Sequence, residues 1–145
     1  MPATLYTREI LRLAASIPHH KRLESPQASA ERKSPICGSR VVVDLALDRE
    51  GRIEALGLEV KACALGQASA ALMGRHALGR TGADLESARD AFSAWLTGAR
   101  EDPGAWPGLD LFSEARAFPA RHAAILLAFE AGAAAARKAE TVAAR

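Results

Sequence analysis

The 145-residue chain has only two cysteines, Cys37 and Cys63, and a net charge of just +2. Two thiols are too few for a disulfide framework. They fit a reducing compartment, where they stay as thiols or bind metal, and the cytoplasm is the expected location. The small net charge gives no electrostatic case for nucleic-acid binding, although residues 1 to 40 carry seven basic and three acidic side chains, a local excess expected to face a partner. Nowhere do about 18 apolar residues run together, so no membrane span is expected. The segment from Leu5 to Ile17 is broken by Arg8, Glu9 and Arg12, so no secretory signal is expected there. No Gly-x-Gly-x-x-Gly or phosphate-binding loop occurs, and no nucleotide site is readable.

What is present suffices for one domain over residues 1–145, with 49% apolar residues to bury one core. Tyr6, Ile10, Leu13 and Ile17 recur at helical spacing and predict a helix from Thr4 to Ile17, stopped by Pro18. A polar connection from His19 to Pro35 follows, with a weakly signalled strand near Ala28 to Arg32. Val41, Val43, Leu45 and Leu47 alternate with Val42, Asp44, Ala46 and Asp48, which reads as a half-buried strand. After the turn Asp48-Arg49-Glu50-Gly51 a return strand runs to about Ala62. Ile53 and the set Leu56, Leu58 and Val60 fall on opposite parities, which requires a bulge near Ala55.

Helices are then predicted from Cys63 to Gly79 and from the capping-box sequence Thr81-Gly82-Ala83-Asp84 to Gly98. A loop over 99–108, a short helix at Leu109 and Phe112, and a last helix from Ala120 to about Lys138 complete the pattern, with 140–145 expected to fray. Two to three antiparallel strands packed against four to five helices make an α+β fold.

Cys63 stands where the strand pattern gives way to the helix pattern. Exposed N–H groups and the positive end of the helix dipole favour a thiolate there. No Ser, Thr, Asp or Asn lies between Ala62 and Gly66, so the sulfur itself is the candidate cap. Cys37 lies in the turn Ser34-Pro35-Ile36-Cys37-Gly38-Ser39-Arg40, which leads into the next strand, so the two thiols can meet at strand ends. The pair His19-His20 reads as a solvated loop, His76 as a core or rim histidine, and Trp106, flanked by prolines, as a loop anchor packed on the body.

These residues resemble the U-type iron-sulfur cluster assembly scaffolds, the family that includes IscU, SufU and the N-terminal part of NifU. The resemblance runs through Leu5-Tyr6, Pro35-Ile36-Cys37-Gly38, the hairpin at Gly51 and Phe118-Pro119-Ala120-Arg121. Its most specific part is Ala62-Cys63-Ala64-Leu65-Gly66-Gln67-Ala68-Ser69-Ala70, which looks most like the SufU branch. The resemblance implies an iron-sulfur cluster or a zinc or iron ion held by Cys37 and Cys63. It also implies a cysteine desulfurase as sulfur donor, other cluster-assembly proteins as partners, and a scaffold rather than an enzyme. The family's aspartate after Cys-Gly falls on Ser39 and its third cysteine on Ala124. His122, two residues before Ala124, is the candidate replacement ligand, and Ser39 a hydrogen-bond donor to a Cys37 thiolate. Alternatively, two copies each give Cys37 and Cys63 to one cluster at a homodimer interface. A metal-free relative docking on a desulfurase or another scaffold is the competing reading. A zinc-dependent sulfur acceptor using Cys63 or Cys37 is a third.

Overall fold

The computed structural model describes residues 5–35 and 38–144. Helix α1 (Arg8–Ala14) leads by an irregular segment to β1 (Ala28–Lys33), β2 (Arg40–Leu47) and β3 (Ile53–Lys61). Then come α2 (Ala64–His76), α3 (Gly82–Leu96), two 3-10 segments (Leu109–Ala117 and Pro119–Arg121) and α4 (His122–Ala143). The strands form one antiparallel sheet in the order β1-β2-β3, so the expected α+β architecture holds.

The hairpin parity problem is solved where it was expected. Ala46 pairs with Ala55 and Leu47 with Ile53, leaving Glu54 as the extra residue, and Ile53 turns inward with Leu56, Leu58 and Val60. The capping box also forms: Thr81 Oγ1 accepts from the Asp84 N–H at 3.2 Å, and Asp84 Oδ2 accepts from the Thr81 N–H at 3.0 Å. Trp106 is the anchor its flanking prolines suggested. It is buried, donates from Nε1 to the Leu72 carbonyl at 3.0 Å, and stands edge-on to Phe129. The prolines fix the loop while the indole holds it down.

Three expectations are corrected. Helix α1 is shorter than Thr4 to Ile17, because the Thr7 hydroxyl accepts from the Ile10 N–H and starts the helix at Arg8. Helix α4 continues to Ala143 rather than fraying at 140: its final turns lie against the start of α3, where a Cβ on Gly82 would meet Ala136 and Glu140. Strand β2 is buried on both faces. Val41, Val43 and Leu45 face the helices, yet Val42 and Asp44 are buried too.

The second cover is the segment before β1. Leu58 donates to the His19 carbonyl at 2.8 Å, Gln27 donates to the Leu45 carbonyl at 3.0 Å, and the Leu23 N–H bonds the Asp44 carboxylate at 3.0 Å. Gly57, paired with Asp44 across the sheet, permits this approach: a Cβ there would sit 2.5 Å from the Lys21 carbonyl oxygen. His19 and His20 are exposed in this segment, as expected of a solvated loop.

Candidate functional site

The site is built where strands end and helices begin. Arg40, the first residue of β2, pairs with Lys61, the last of β3, so the chain enters the sheet at Ser39 and leaves it at Ala62 side by side. Before Ser39 the chain turns tightly: Gly38 has φ +71°, its N–H donates to the Ser34 carbonyl at 3.1 Å, and the Ser34 N–H donates to the Ser39 carbonyl at 2.8 Å. A left-handed φ suits glycine, which has no Cβ to clash. Ser34 and Ser39 are both buried. Cys37 lies outside the described residues.

Cys63 is the N-cap residue of α2, with extended backbone at φ −64° and ψ 168°. Its carbonyl accepts the first helical bond from the Gln67 N–H at 2.9 Å, and the Gln67 side chain donates to the Ala62 carbonyl at 2.9 Å. The expected sulfur cap is not made, for no hydrogen bond joins the Cys63 side chain to the helix N–H groups. The thiol is half-buried against the core and is left for other chemistry at the positive end of a helix without an acidic residue in its first turn.

The start of α4 meets the start of α2. A Cβ on Gly66 would come within 3.2 Å of the Ala124 carbonyl oxygen, and the Ser69 hydroxyl donates to the Ile125 carbonyl at 2.6 Å. Ala124, where the resemblance places a cysteine, is buried and brings no ligand atom. His122 opens α4 and is buried, its Nε2 at 2.9 Å from the Ala115 carbonyl. A carbonyl only accepts, so Nε2 carries a proton, and in the neutral ring the lone pair is then on Nδ1. This is how a backbone carbonyl commonly orients a metal-ligating imidazole, and equally how a structural histidine is satisfied. Beside it, the run 117–121 is exposed, with Phe118 presenting an apolar ring to solvent.

Among the described residues no three His, Cys, Asp or Glu side chains stand close enough to hold a metal ion. His76 lies away from this end, edge-on to Trp106 at 6.5 Å; burial first, then the charges of Arg80 and Arg75, push its pKa down, which fits a rim histidine that stays neutral. Asp44, unremarked in the sequence, is the most buried carboxylate: Arg22 Nε and Nη2 bond it at 2.6 and 3.0 Å, and the Ser29 hydroxyl joins them. It fixes the sheet's outer cover rather than serving the cysteine end. No helix among the described residues is long and apolar enough to cross a membrane.

No protein-family model matches the chain, and no curated protein is similar to it. Similar solved structures include a nitrogen-fixing NifU-like protein (N-terminal) from Brucella abortus, 38% identical, with a TM-score of 0.88 over 94% of this chain and 95% of that one. An iron-sulfur cluster assembly scaffold protein for the SUF system from Fervidobacterium islandicum AW-1 is 21% identical, with a TM-score of 0.83 over 91% of this chain and 96% of its own. A third structure, of a hypothetical protein, is 22% identical with a TM-score of 0.72 over 92% and 97%. The last two share the fold. The first shares sequence along nearly the whole of both chains, and this protein therefore belongs to the U-type iron-sulfur cluster assembly scaffold family, the family of the NifU N-terminal domain.

Proposed function

We propose that this chain carries iron, zinc or a labile [2Fe-2S] cluster as cargo on Cys37 and Cys63. In this reading it is a cytoplasmic scaffold that takes sulfur from a cysteine desulfurase, passes its load to other cluster-assembly proteins, and is not itself an enzyme. The observation that carries the reading is Cys63: a half-buried thiol at a helix N-terminus, bonded to none of its helix's N–H groups and set where two strand ends and two helix starts meet. A two-iron cluster needs four ligands, and so does structural zinc. Two thiolates leave the set incomplete. The His122 Nδ1 lone pair is the third candidate, with Ser39 as a donor to the Cys37 sulfur, and a second copy of the chain is the other source of ligands.

Two observations favour the metal-free alternative, an interaction module for a desulfurase or another scaffold. Ala124 is buried against α2 with no ligating atom, and Ser39 stands where the family resemblance places a carboxylate.

Cobalt(II) added to metal-free protein tests the ligand assignment, because thiolate coordination gives an intense charge-transfer band. We expect the band in the wild type, and at least about tenfold weaker cobalt affinity in Cys63→Ser, since even loss of a group that only orients a ligand costs that much. His122→Ala should shift the ligand-field bands while keeping the charge-transfer band. Cobalt binding unchanged in Cys63→Ser would contradict the assignment.

A further inference from the structure

Away from the cysteine end, α3 and the loop over 100–106 enclose a cleft of about 230 Å³ lined by Arg80, Ser87, Arg100 and Trp106 together with small side chains. The helix contributes Asp84, Ser87, Ala88 and Ala91, spaced as one stripe facing the loop. Arg80 is held by its own backbone: its carbonyl accepts from the Ile53 N–H at 2.8 Å and its N–H donates to the Ala77 carbonyl at 3.0 Å. Its guanidinium lies over the Trp106 ring, 5.3 Å from the centroid. Among the described residues it has no carboxylate partner within ion-pair distance.

Arg100, the other guanidinium of the cleft, pairs at 3.2 Å only with the exposed Asp102. The one carboxylate lining the cleft, Asp84, already accepts the Thr81 N–H. The lining thus sets two guanidiniums against one carboxylate, the half-buried Arg80 has no ion-pair partner among the described residues, and the walls at Ala88, Ala91 and Ala105 are apolar and strengthen charge interactions.

We propose that this cleft binds a small oxyanion, the phosphate or carboxylate group of a metabolite, bridged between Arg80 and Arg100 with the Ser87 hydroxyl as a further donor. Guanidinium recognises such groups through parallel charge-assisted hydrogen bonds, and the ring of Trp106 keeps Arg80 oriented for them. Neither cysteine lines the site, and it does not depend on metal.

Calorimetric titration with inorganic phosphate, and separately with acetate, at constant ionic strength tests this. At least one of the two binds saturably, and which one does identifies the group the cleft recognises. Arg80→Gln and Arg100→Gln each weaken that binding by at least about tenfold, the scale of one charge-assisted hydrogen bond. Arg49→Gln, on the exposed hairpin turn, leaves it unchanged. Arg100 is exposed, so its variant reads binding without disturbing the packing around Trp106. Absence of saturable binding by both anions, or binding that survives Arg100→Gln undiminished, overturns the proposal.

Discussion

Asp44→Ala is expected to cost about 3 kcal/mol, the lower end of the range for breaking a buried ion pair, because Arg22 keeps nearly half of its side-chain surface in water. The carboxylate gathers two bonds from Arg22, one from the Ser29 hydroxyl and one from the Leu23 N–H, and it is fully buried. Removing it strands a backbone N–H and frees the segment that covers the outer face of the sheet. The melting temperature should fall by about 10 °C, as measured by thermal unfolding.

The same group sets an acid dependence. Burial alone raises the Asp44 pKa, but the hydrogen bonds from Arg22, Ser29 and Leu23 and the Arg22 charge outweigh it and hold the carboxyl below the usual carboxylate range. A depressed carboxyl contributes stability that is complete above its unfolded value, near 4, and that is lost as pH falls through the lower folded value. Denaturant midpoints measured from pH 6 downward should therefore fall more steeply in the wild type than in Asp44→Asn, which has no proton to take up. Parallel profiles would show that the clamp is not ionic.

Phe92→Ala should be the most damaging single truncation in the helical layer, at about 4 kcal/mol. Phe92 is fully buried on α3 and touches three aromatic rings: Trp95 stacked at 6.2 Å, Phe112 edge-on at 5.5 Å and Phe129 edge-on at 5.6 Å. Those rings come from α3, from the 3-10 segment and from α4, so one cavity loosens three elements at once. Cooperative unfolding at a much lower denaturant midpoint, with the slope unchanged, is the expected result. A loss below about 1 kcal/mol would mean that the neighbouring rings close the gap.

The hairpin, its bulge, the capping box of α3 and the anchoring of Trp106 were legible because each is a local matter of periodicity or of a few adjacent residues. The burial of Asp44 was not. Alternation along β2 assigns it to solvent, and the segment that covers it, from His19 to Gln27, has no periodicity to announce that it lies on the sheet. Gly57 was the available signal, a small residue inside a strand directly opposite a carboxylate.

At the cysteine end, the N-cap position of Cys63 was readable from the change of period, but the missing sulfur bond was not, since capping depends on how the side chain leaves the turn. The bond from His122 to Ala115 was hidden for another reason. It joins residues seven apart across a 3-10 segment whose path no helical or strand repeat describes.

The central claim is that Cys37 and Cys63 hold the cargo. It is tested most directly by counting iron, zinc and acid-labile sulfide per chain in protein purified without oxygen, beside a Cys37→Ser, Cys63→Ser double variant. The account predicts bound metal in the wild type and its loss in the folded double variant, with sulfide accompanying iron where the load is a cluster and absent where it is zinc. A wild type free of metal and sulfide, or a double variant that retains as much metal as the wild type, would contradict it.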